Sequence, residues 1–360
     1  MYVIYFVKVY KLFLVSIMEW NNYKERFILK AKQANKNDKY IEKWLSYANN
    51  LFSKQLPIIY NQNHLCLLLG FSKNYVYAAS NAQKYFYREF KIPKKNGEYR
   101  VINEPLPNLK EIQKWILENI LYKIEISIYA KAYRKGYSLK DNVKFHRNQK
   151  KVLSLDIESF FDNLKYYKIL NVFSNMGYAN DVSIMLANLC SLNSCLPQGA
   201  PTSACLSNII MKEFDNTISS FCKERHIRYT RYADDMTFSG DFNEIEVIEV
   251  VRKKLKEMNL NLNKNKIRVR IQGQQQLVTG LVVNKTIQLP KKTRKELRKS
   301  IYYIKKFGFS EHVRFIEEDR SNYLDHLIGL VGFGLYINPK DKELMSYKSY
   351  LLNLKSDYFS

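Results

Sequence analysis

Apolar residues recur with helical spacing along much of the chain. Between residues 36 and 90 an apolar stripe repeats at i, i+3, i+4 and i+7, behind a cap at Asn37 or Asp38. It comprises Ile41, Trp44, Leu45, Ala48, Leu51 and Phe52. This spacing is typical of a helix that buries one face. Similar patterns predict further helices after Pro107, from Val182 to Leu189 with Asp181 as its cap, from Glu244 to Met258, and after Pro290.

Strand-like segments interrupt these helices. The segment Ile92–Ile102 contains the Asn96-Gly97 pair and predicts a two-stranded hairpin. Lys150–Asp156 has the composition of a buried strand, and Gln276–Val283 is a β-rich run broken by Gly280. Tyr229–Gly240 places two adjacent acids between β-branched and aromatic residues, which predicts a second hairpin with acid at its tip.

One loop is unusually constrained. Leu196–Ser203 contains two prolines and one glycine, and it predicts a rigid turn into a helix that reaches about Cys222. The polar Gln198 inside this turn indicates either a residue that positions a ligand or a structural side-chain cap.

Three acids stand out by position. Neighbouring side chains on a strand point to opposite faces, so Asp234 and Asp235 can share one environment only at a turn. A metal or cationic ligand would offset the repulsion between them, although an ordinary surface turn is the simpler alternative. Asp156 ends the predicted buried strand, which is a usual ligand position in layered α/β proteins.

Charge points to a polyanionic partner. The chain carries 58 basic and 34 acidic residues, a formal net charge of +24, and its 46% hydrophobic content supports a large core in two or three lobes. Nucleic acid is the first candidate, and a generally basic proteome is the alternative. The helix after Pro290 places Lys295, Lys299 and Lys306 opposite its apolar face, where they either hold phosphates or only keep the surface soluble.

The cysteines and the amino terminus bear on location. Five cysteines without a Cys-x-x-Cys pair indicate reduced thiols instead of a disulfide framework or zinc site, which favours the cytoplasm. The apolar segment Met1–Met18 is interrupted by Lys8 and Lys11, so it fits neither a signal peptide nor a membrane span. We therefore expect no membrane partner, and translation starting at Met18 would leave the first residues outside the native protein.

The three acids suit metal-assisted phosphoryl chemistry. Mg²⁺ is bound by a few carboxylates together with substrate phosphates, and two ions about 3.5–4 Å apart can clamp the attacking and leaving oxygens. The sequence therefore predicts two Mg²⁺ ions at Asp156, Asp234 and Asp235.

These residues resemble the motifs of bacterial reverse transcriptases over about Ile92 to Asn284. Tyr232-Ala233-Asp234-Asp235 is similar to the catalytic hairpin, Asp156–Phe161 to the first metal-binding motif, and Leu196–Ser203 to the nucleotide-site loop. The resemblance implies an α+β fold, the right hand of fingers, palm and thumb, with a helical N-terminal extension. It also implies that Asp156 and Asp234 hold both metals, that Asp235 completes the site, and that the carbonyl of Ile157 adds a ligand.

The same resemblance implies a site for dNTPs. Phe161, five positions after Asp156, resembles the ring that excludes a 2′-hydroxyl, while Phe160 is expected in the core. Gln198, beside Gly199, resembles the residue that touches the incoming nucleotide. Arg100 and, less closely, Lys94 or Lys95 resemble the cations of the fingers that contact the triphosphate.

Two further motifs resemble those of retron enzymes. Val278-Thr279-Gly280 is similar to the Val-Thr-Gly motif, and Asn142 with His146 is similar to Asn-Ala-x-x-His, with Val143 where Ala is usual. The resemblance implies that these residues bind a cognate structured noncoding RNA. It also implies synthesis from a 2′-hydroxyl, a branched RNA–DNA product and a role in phage defence with an effector or toxin partner.

The implied domains are an extension at 1–35, a helical region with fingers at 36–150, a palm at 151–288 with a fingers insertion around 170–200, and a basic helical thumb at 289–360.

Another defence-associated or group II intron-like reverse transcriptase is an alternative, as is an RNA-binding scaffold with a vestigial polymerase fold. An RNA-templated RNA polymerase or an untemplated nucleotide transferase is disfavoured by Phe161.

Overall fold

The computed structural model describes residues 19–94 and 97–359. The start at Met18, the segment before it, and the residues Lys95 and Asn96 lie outside this range. Within it, no helix has the length and apolar character needed to cross a membrane. All five cysteines are free thiols, four of them buried, as their spacing predicted.

Helices and antiparallel strands make up the fold, which confirms the α+β class. The helices are α1 (19–33), α2 (Asp38–Ser53), α3 (Gln62–Leu69), α4 (Lys73–Asn81), α5 (Pro107–Asn119), α6 (Leu139–Val143), α7 (Phe160–Asn163), α8 (Tyr166–Met176), α9 (Asn180–Leu189), α10 (Ser203–Ile210), α11 (Lys212–Glu224), α12 (Glu244–Glu257), α13 (Lys291–Phe307), α14 (Phe309–Phe315), α15 (Tyr323–Ile337) and α16 (Lys342–Phe359). The strands are β1 (Tyr87–Pro93), β2 (Tyr99–Pro105), β3 (Lys151–Asp156), β4 (Arg228–Tyr232), β5 (Asp235–Gly240), β6 (Arg268–Ile271), β7 (Leu277–Val278) and β8 (Leu281–Val282).

The chain divides into two compact units. The first comprises residues up to Ile126 together with Ser159–Lys212, and the second comprises Ser127–Glu158 together with the chain from Glu213 onward. These limits differ from the predicted domain boundaries, because each unit is assembled from two separate stretches of sequence.

The first unit is mostly helical. The α2 stripe is buried at Ile41, Ala48 and Leu51, and the side chain of Asn37 accepts a 2.9 Å hydrogen bond from the Tyr40 N–H, so Asn37 is the cap. The predicted hairpin is present as β1 and β2, with Ile92 opposite Arg100.

Two helix predictions for the chain were wrong in detail. Asp181 is not the cap of α9: Ala179 is in that position, and Asp181 lies in the first turn, where its charge still suits the helix dipole. The helix predicted to reach about Cys222 breaks at Met211 into α10 and α11. The two parts belong to different units, since the boundary follows Lys212.

The second unit is organised around a four-stranded antiparallel sheet in the order β4-β5-β3-β6. On one face, Leu153, Leu155, Met236 and Phe238 are buried. The opposite face carries polar side chains, because Ser154 lies opposite Thr237 in the β3–β5 register.

The carboxyl-terminal part of the second unit has its own hydrophobic core. This core joins α13, α15 and α16 to the β7–β8 hairpin, and it also includes Val143 of α6 and Val152 of β3. The carboxyl-terminal helices are therefore packed against the region that carries the four-stranded sheet.

A buried ion pair supports the apolar face of the sheet. The guanidinium of Arg231 on β4 donates from Nε and Nη2 to the two carboxylate oxygens of Asp215 on α11, at 2.8 and 2.7 Å, and both side chains are completely buried. Tyr229 donates its hydroxyl to the same carboxylate at 2.7 Å. Such a bidentate pair is directional, and removal of one partner leaves a buried charge.

We expect Asp215→Asn to lower the free energy of unfolding by about 3 kcal/mol, because the charge of Arg231 then stays buried without its counter-charge. Urea unfolding would measure the change. Asp241→Asn is the matched control: Asp241 pairs with Lys150 at the surface, with both side chains more than 70% exposed, and its loss should have no measurable effect. Equal effects of the two substitutions would contradict the prediction.

Candidate active site

The β4–β5 hairpin and β3 bring the three predicted acids together. Asp156 at the end of β3 lies directly opposite Asp235 at the start of β5. Tyr232 pairs with Asp235, so Ala233 and Asp234 form the two-residue turn between the strands. Directly opposite residues of an antiparallel pair share a face, and the structure therefore places the carboxylates of Asp156 and Asp235 side by side.

The turn itself is strained and held from two directions. Ala233 has φ 60°, a left-handed conformation that residues other than glycine rarely adopt. Its carbonyl accepts a 3.0 Å hydrogen bond from Nη1 of Arg231, and the carbonyl of Asp234 accepts one of 3.1 Å from the Ile157 N–H. The buried Arg231 thus links the ion pair beneath the sheet to the turn that carries Asp234.

Lys266 is a site residue that the sequence did not indicate. Its ammonium donates to Oδ2 of Asp156 at 2.8 Å, and the carbonyl of Asp156 accepts a 2.8 Å hydrogen bond from the Asn263 N–H. Lys266 lies 110 positions further along the chain, in the loop between α12 and β6. It reaches Asp156 because β6 pairs with β3, a pairing that no local pattern reveals.

The three acids perturb one another's ionisation. Burial, followed by the charges of Asp234 and Asp156, raises the pKa of Asp235 to about 7, and Lys266 opposes this rise. Burial lowers the pKa of Lys266, but its hydrogen bond to Asp156 and the charges of the three acids raise it by more. The charge of Lys266 therefore does not fully compensate the three carboxylates, because the pKa of Asp235 stays raised.

The donor set fits a divalent cation by its chemistry. Hard cations prefer carboxylate oxygens, and a cation here would offset the burial and the repulsion between carboxylates that together raise the pKa of Asp235. Across residues 19–94 and 97–359, no group of three or more acidic, histidine or cysteine side chains forms a ready-made metal cage. Lys266 forms an ion pair with Asp156, and a metal at Asp156 would have to compete with it.

The predicted nucleotide-binding loop is docked on β2 within the first unit. The Asn103 N–H donates to the Gln198 carbonyl at 2.7 Å, and the Ser203 hydroxyl donates to the Pro197 carbonyl at 2.7 Å. Gly199 has φ 118° and lies so close to β2 that a Cβ there would approach the Asn103 carbonyl oxygen to 2.9 Å. The main chain of this loop is therefore fixed, while the Gln198 side chain is half-buried.

The other nucleotide-site candidates are also in the first unit. Arg100 is exposed on β2, and Lys94 forms a 3.0 Å ion pair with Glu98 across the base of the hairpin turn. Phe160 is buried, as expected for a core residue, while Phe161 is half-buried and contacts the Phe160 ring edge-on.

The residues predicted to bind nucleic acid fall into two groups. Lys295, Lys299 and Lys306 are exposed on α13. In contrast, Asn142, His146 and Val278 are buried, and only Thr279 and Gly280 lie in the β7–β8 turn. The side chains of Asn142 and His146 have no exposed surface, and their predicted contact with RNA stays a prediction.

A family profile described as reverse transcriptase (RNA-dependent DNA polymerase) matches residues 92–303. The chain belongs to the reverse transcriptase family. Its curated relatives indicate the retron type. The Ec86 retron reverse transcriptase of Escherichia coli is 30% identical over 74% of this chain and 81% of the relative, and the Ec83 retron enzyme is 31% identical over 73% and 86%.

A more distant retron reverse transcriptase, Mx65 of Myxococcus xanthus, is 28% identical over 81% of this chain and 71% of the relative. Among solved structures, a telomerase from Candida albicans gives a TM-score of 0.44 at 12% identity, over 74% of this chain and 54% of that chain, and likeness at this level adds nothing to the assignment. The reverse transcriptase is thus an RNA-directed DNA polymerase of the retron type.

We expect Gly199→Ala to lower the free energy of unfolding of this reverse transcriptase by about 2 kcal/mol and to raise the KM for dNTPs. The added methyl would collide with the Asn103 backbone and with Ile102, in addition to straining the left-handed φ. Urea unfolding and steady-state kinetics would measure both effects.

Gly273→Ala is the matched control for that substitution. Gly273 has φ 102°, but a methyl added there would have no atom within 4 Å, so this variant has only the backbone strain, about 1 kcal/mol. Equal stability and equal activity of the two variants would show that the close approach of Gly199 to β2 affects neither folding nor dNTP binding.

Proposed function

We propose that this enzyme copies a cognate structured noncoding RNA into DNA, with Asp156, Asp234 and Asp235 holding two Mg²⁺ ions at the reacting phosphate. The observation that carries the proposal is the cross-strand pairing of Asp156 with Asp235 beside the turn that holds Asp234. This arrangement concentrates carboxylate oxygens at one edge of a polar sheet face.

The chain's own residues would position charge instead of forming covalent bonds. Asp156 and Asp235 present oxygens from adjacent strands, and the Ile157 N–H fixes the Asp234 backbone beside them. The carbonyl of Ile157 is a further candidate ligand. When bound, the two metal ions would lower the pKa of the primer hydroxyl and stabilise the charge that develops on the leaving pyrophosphate. Lys266 would release Asp156 and remain beside the phosphates as a positive group.

The proposed domain roles follow the predicted boundaries. We assign the palm to 151–288 around the four-stranded sheet, with the fingers insertion around 170–200. The fingers and helical region are assigned to 36–150, including the β1–β2 hairpin, and the thumb to 289–360, including α13. Arg100 and Lys94 on that hairpin, together with Gln198 and Gly199, would then contact the triphosphate and base of the dNTP.

Nucleic acid would lie along basic surfaces of the second unit. Arg268 and Arg270 on β6 are opposite Ser154 and Val152 of β3, so they share the sheet face that carries Asp156. Lys295, Lys299 and Lys306 add exposed charge on α13, and the net charge of +24 favours a polyanion. These cations support RNA–DNA binding without specifying a sequence.

The similarity to retron enzymes also supports a proposal about the product and the biological role of this enzyme. We infer that synthesis begins at a 2′-hydroxyl of the cognate RNA and yields a branched RNA–DNA hybrid. We also infer a cytoplasmic location and a role in phage defence with an effector or toxin protein. These inferences rest on the similarity to retron reverse transcriptases.

The direct test is primer extension by the full-length protein on poly(rA) annealed to oligo(dT), with Mg²⁺ and dTTP. Asp234→Asn combined with Asp235→Asn should lower the rate by about 10³-fold or more, because charge stabilisation at the reacting phosphate is lost. Asp241→Asn, which removes an exposed acid just beyond β5, should retain the wild-type rate. Undiminished synthesis by the double variant would refute the assigned role of the acids.

Phe161 is proposed to exclude ribonucleotides by contact with the sugar. Phe161→Ala should reduce the preference for dTTP over UTP by about 10- to 100-fold, since the space beneath the sugar opens. Competition between dTTP and UTP in the same primer-extension assay measures this preference. Tyr85→Ala, which removes a ring that is 73% exposed in the same unit, should leave it unchanged. If Phe161→Ala also left it unchanged, Phe161 would have no part in sugar selection.

A further inference from the structure

A chain of buried hydrogen bonds crosses the catalytic hairpin behind the acids. His146 lies between the two strands: its Nε2 is 2.8 Å from the hydroxyl of Thr230 on β4, and its Nδ1 is 2.7 Å from the hydroxyl of Ser239 on β5. The Thr230 hydroxyl is also 2.6 Å from Oδ1 of Asn142 on α6. All four side chains are buried.

The donors in this chain can be assigned from chemistry. The amide oxygen of Asn142 only accepts, so the Thr230 hydroxyl donates to it and must accept from Nε2–H of His146. Nδ1 of a neutral imidazole then accepts from the Ser239 hydroxyl. Burial, with the nearby charges of Arg228 and Lys131, lowers the pKa of His146 to about 3, which agrees with a neutral ring. The network therefore has one consistent arrangement of protons.

The network continues to the β7–β8 hairpin. Nδ2 of Asn142 is 3.4 Å from the hydroxyl of Thr279, a longer contact than the others. Thr279 and Gly280 form the two-residue turn, with φ 44° and 84°, the positive values that tight hairpins require. Val278, the first residue of the motif, and Val143, next to Asn142, both pack into the carboxyl-terminal core. Asn142, His146 and Thr279 thus have hydrogen-bond partners, and Val143 and Val278 have partners in the core.

The hairpin is consequently held on both faces. Asp235, Thr237 and Ser239 are alternate residues of β5, so their side chains lie on one face of the sheet, and Thr230 lies on the same face because it is opposite Thr237. The hydrogen bonds of His146 are therefore made on the face that carries the catalytic acids. Arg231 and Tyr229 point to the other face, where Asp215 binds them. The hairpin cannot tilt toward either side without breaking buried hydrogen bonds.

We propose that Asn142 and His146 are positioning residues, which fix the catalytic hairpin through Thr230 and Ser239 instead of binding RNA. The proposal rests on the polymerase activity of the same hairpin. It predicts that damage to the network slows the chemical step and leaves nucleic-acid affinity intact, because displacement of the acids affects positioning alone.

The test compares three variants of the full-length enzyme by primer extension on poly(rA)·oligo(dT) with Mg²⁺ and dTTP. Thr230→Val keeps the shape of the side chain but leaves Asn142 and His146 without their shared partner, and kcat should fall by about 10- to 100-fold. Thr230→Ser restores the hydroxyl and should recover kcat to within a few-fold of wild type. Thr237→Val removes the hydroxyl directly opposite on β5 and is the matched control, expected to retain activity.

Binding separates positioning from recognition. The Kd for the poly(rA)·oligo(dT) duplex, the KM for dTTP and the yield of copurifying RNA should all stay within about two-fold of wild type in Thr230→Val, since positioning acts on kcat. Loss of RNA binding with unchanged kcat would overturn the proposal in favour of an RNA contact. Failure of Thr230→Ser to recover activity would overturn it as well.

A second measurement does not depend on activity. In the wild-type protein with ¹⁵N-labelled histidine, His146 should give the signals of a neutral ring protonated at Nε2, unchanged between pH 5 and 8. His146→Gln, which removes these signals, would assign them. A ring that becomes protonated near pH 6.5, or that carries its proton on Nδ1, would contradict the network. Inactivity of the wild-type enzyme would count against the proposed polymerisation but not against this result.

Discussion

Three carboxylates held close together impose the main constraint on this structure. The register of β3 with β5 sets Asp156 beside Asp235, and the two-residue turn adds Asp234. Burial and then the repulsion from Asp234 and Asp156 raise the pKa of Asp235, and the ammonium of Lys266 compensates only part of this rise. A backbone that keeps like charges together must itself be held firmly, and the surroundings of the hairpin can be understood in those terms.

The support comes from different chemistry on each face of the hairpin. On the apolar face, a fully buried bidentate ion pair between Arg231 and Asp215 is directional enough to hold the strained Ala233 turn as well. On the polar face, His146 and Asn142 use uncharged hydrogen bonds. Unlike the ammonium of Lys266 on the same face, a neutral imidazole does not compete with a metal for the acids.

What the sequence could predict was local. The acid-tipped hairpin, the strand that ends at Asp156 and the Asn37 cap depend on neighbouring residues, and each is present. The contact of Lys266 with Asp156 and the Arg231–Asp215 ion pair depend on which strands and helices pack together. The spacing of residues in the sequence therefore could not predict them. The break at Met211 was missed for a similar reason, because the apolar pattern continues through it while the two helices pack in different units.

The Asn142 and Thr279 motifs show why a shared pattern does not by itself identify a contact with RNA. A motif is kept in a family when any one of its residues is hard to replace, and burial among hydrogen-bonded partners is as strict a requirement as ligand binding. Here Val143, where Ala is usual, lies in the same hydrophobic core as Val278, so the larger side chain fills space next to the network. The substitution is compatible with a packing role for this motif.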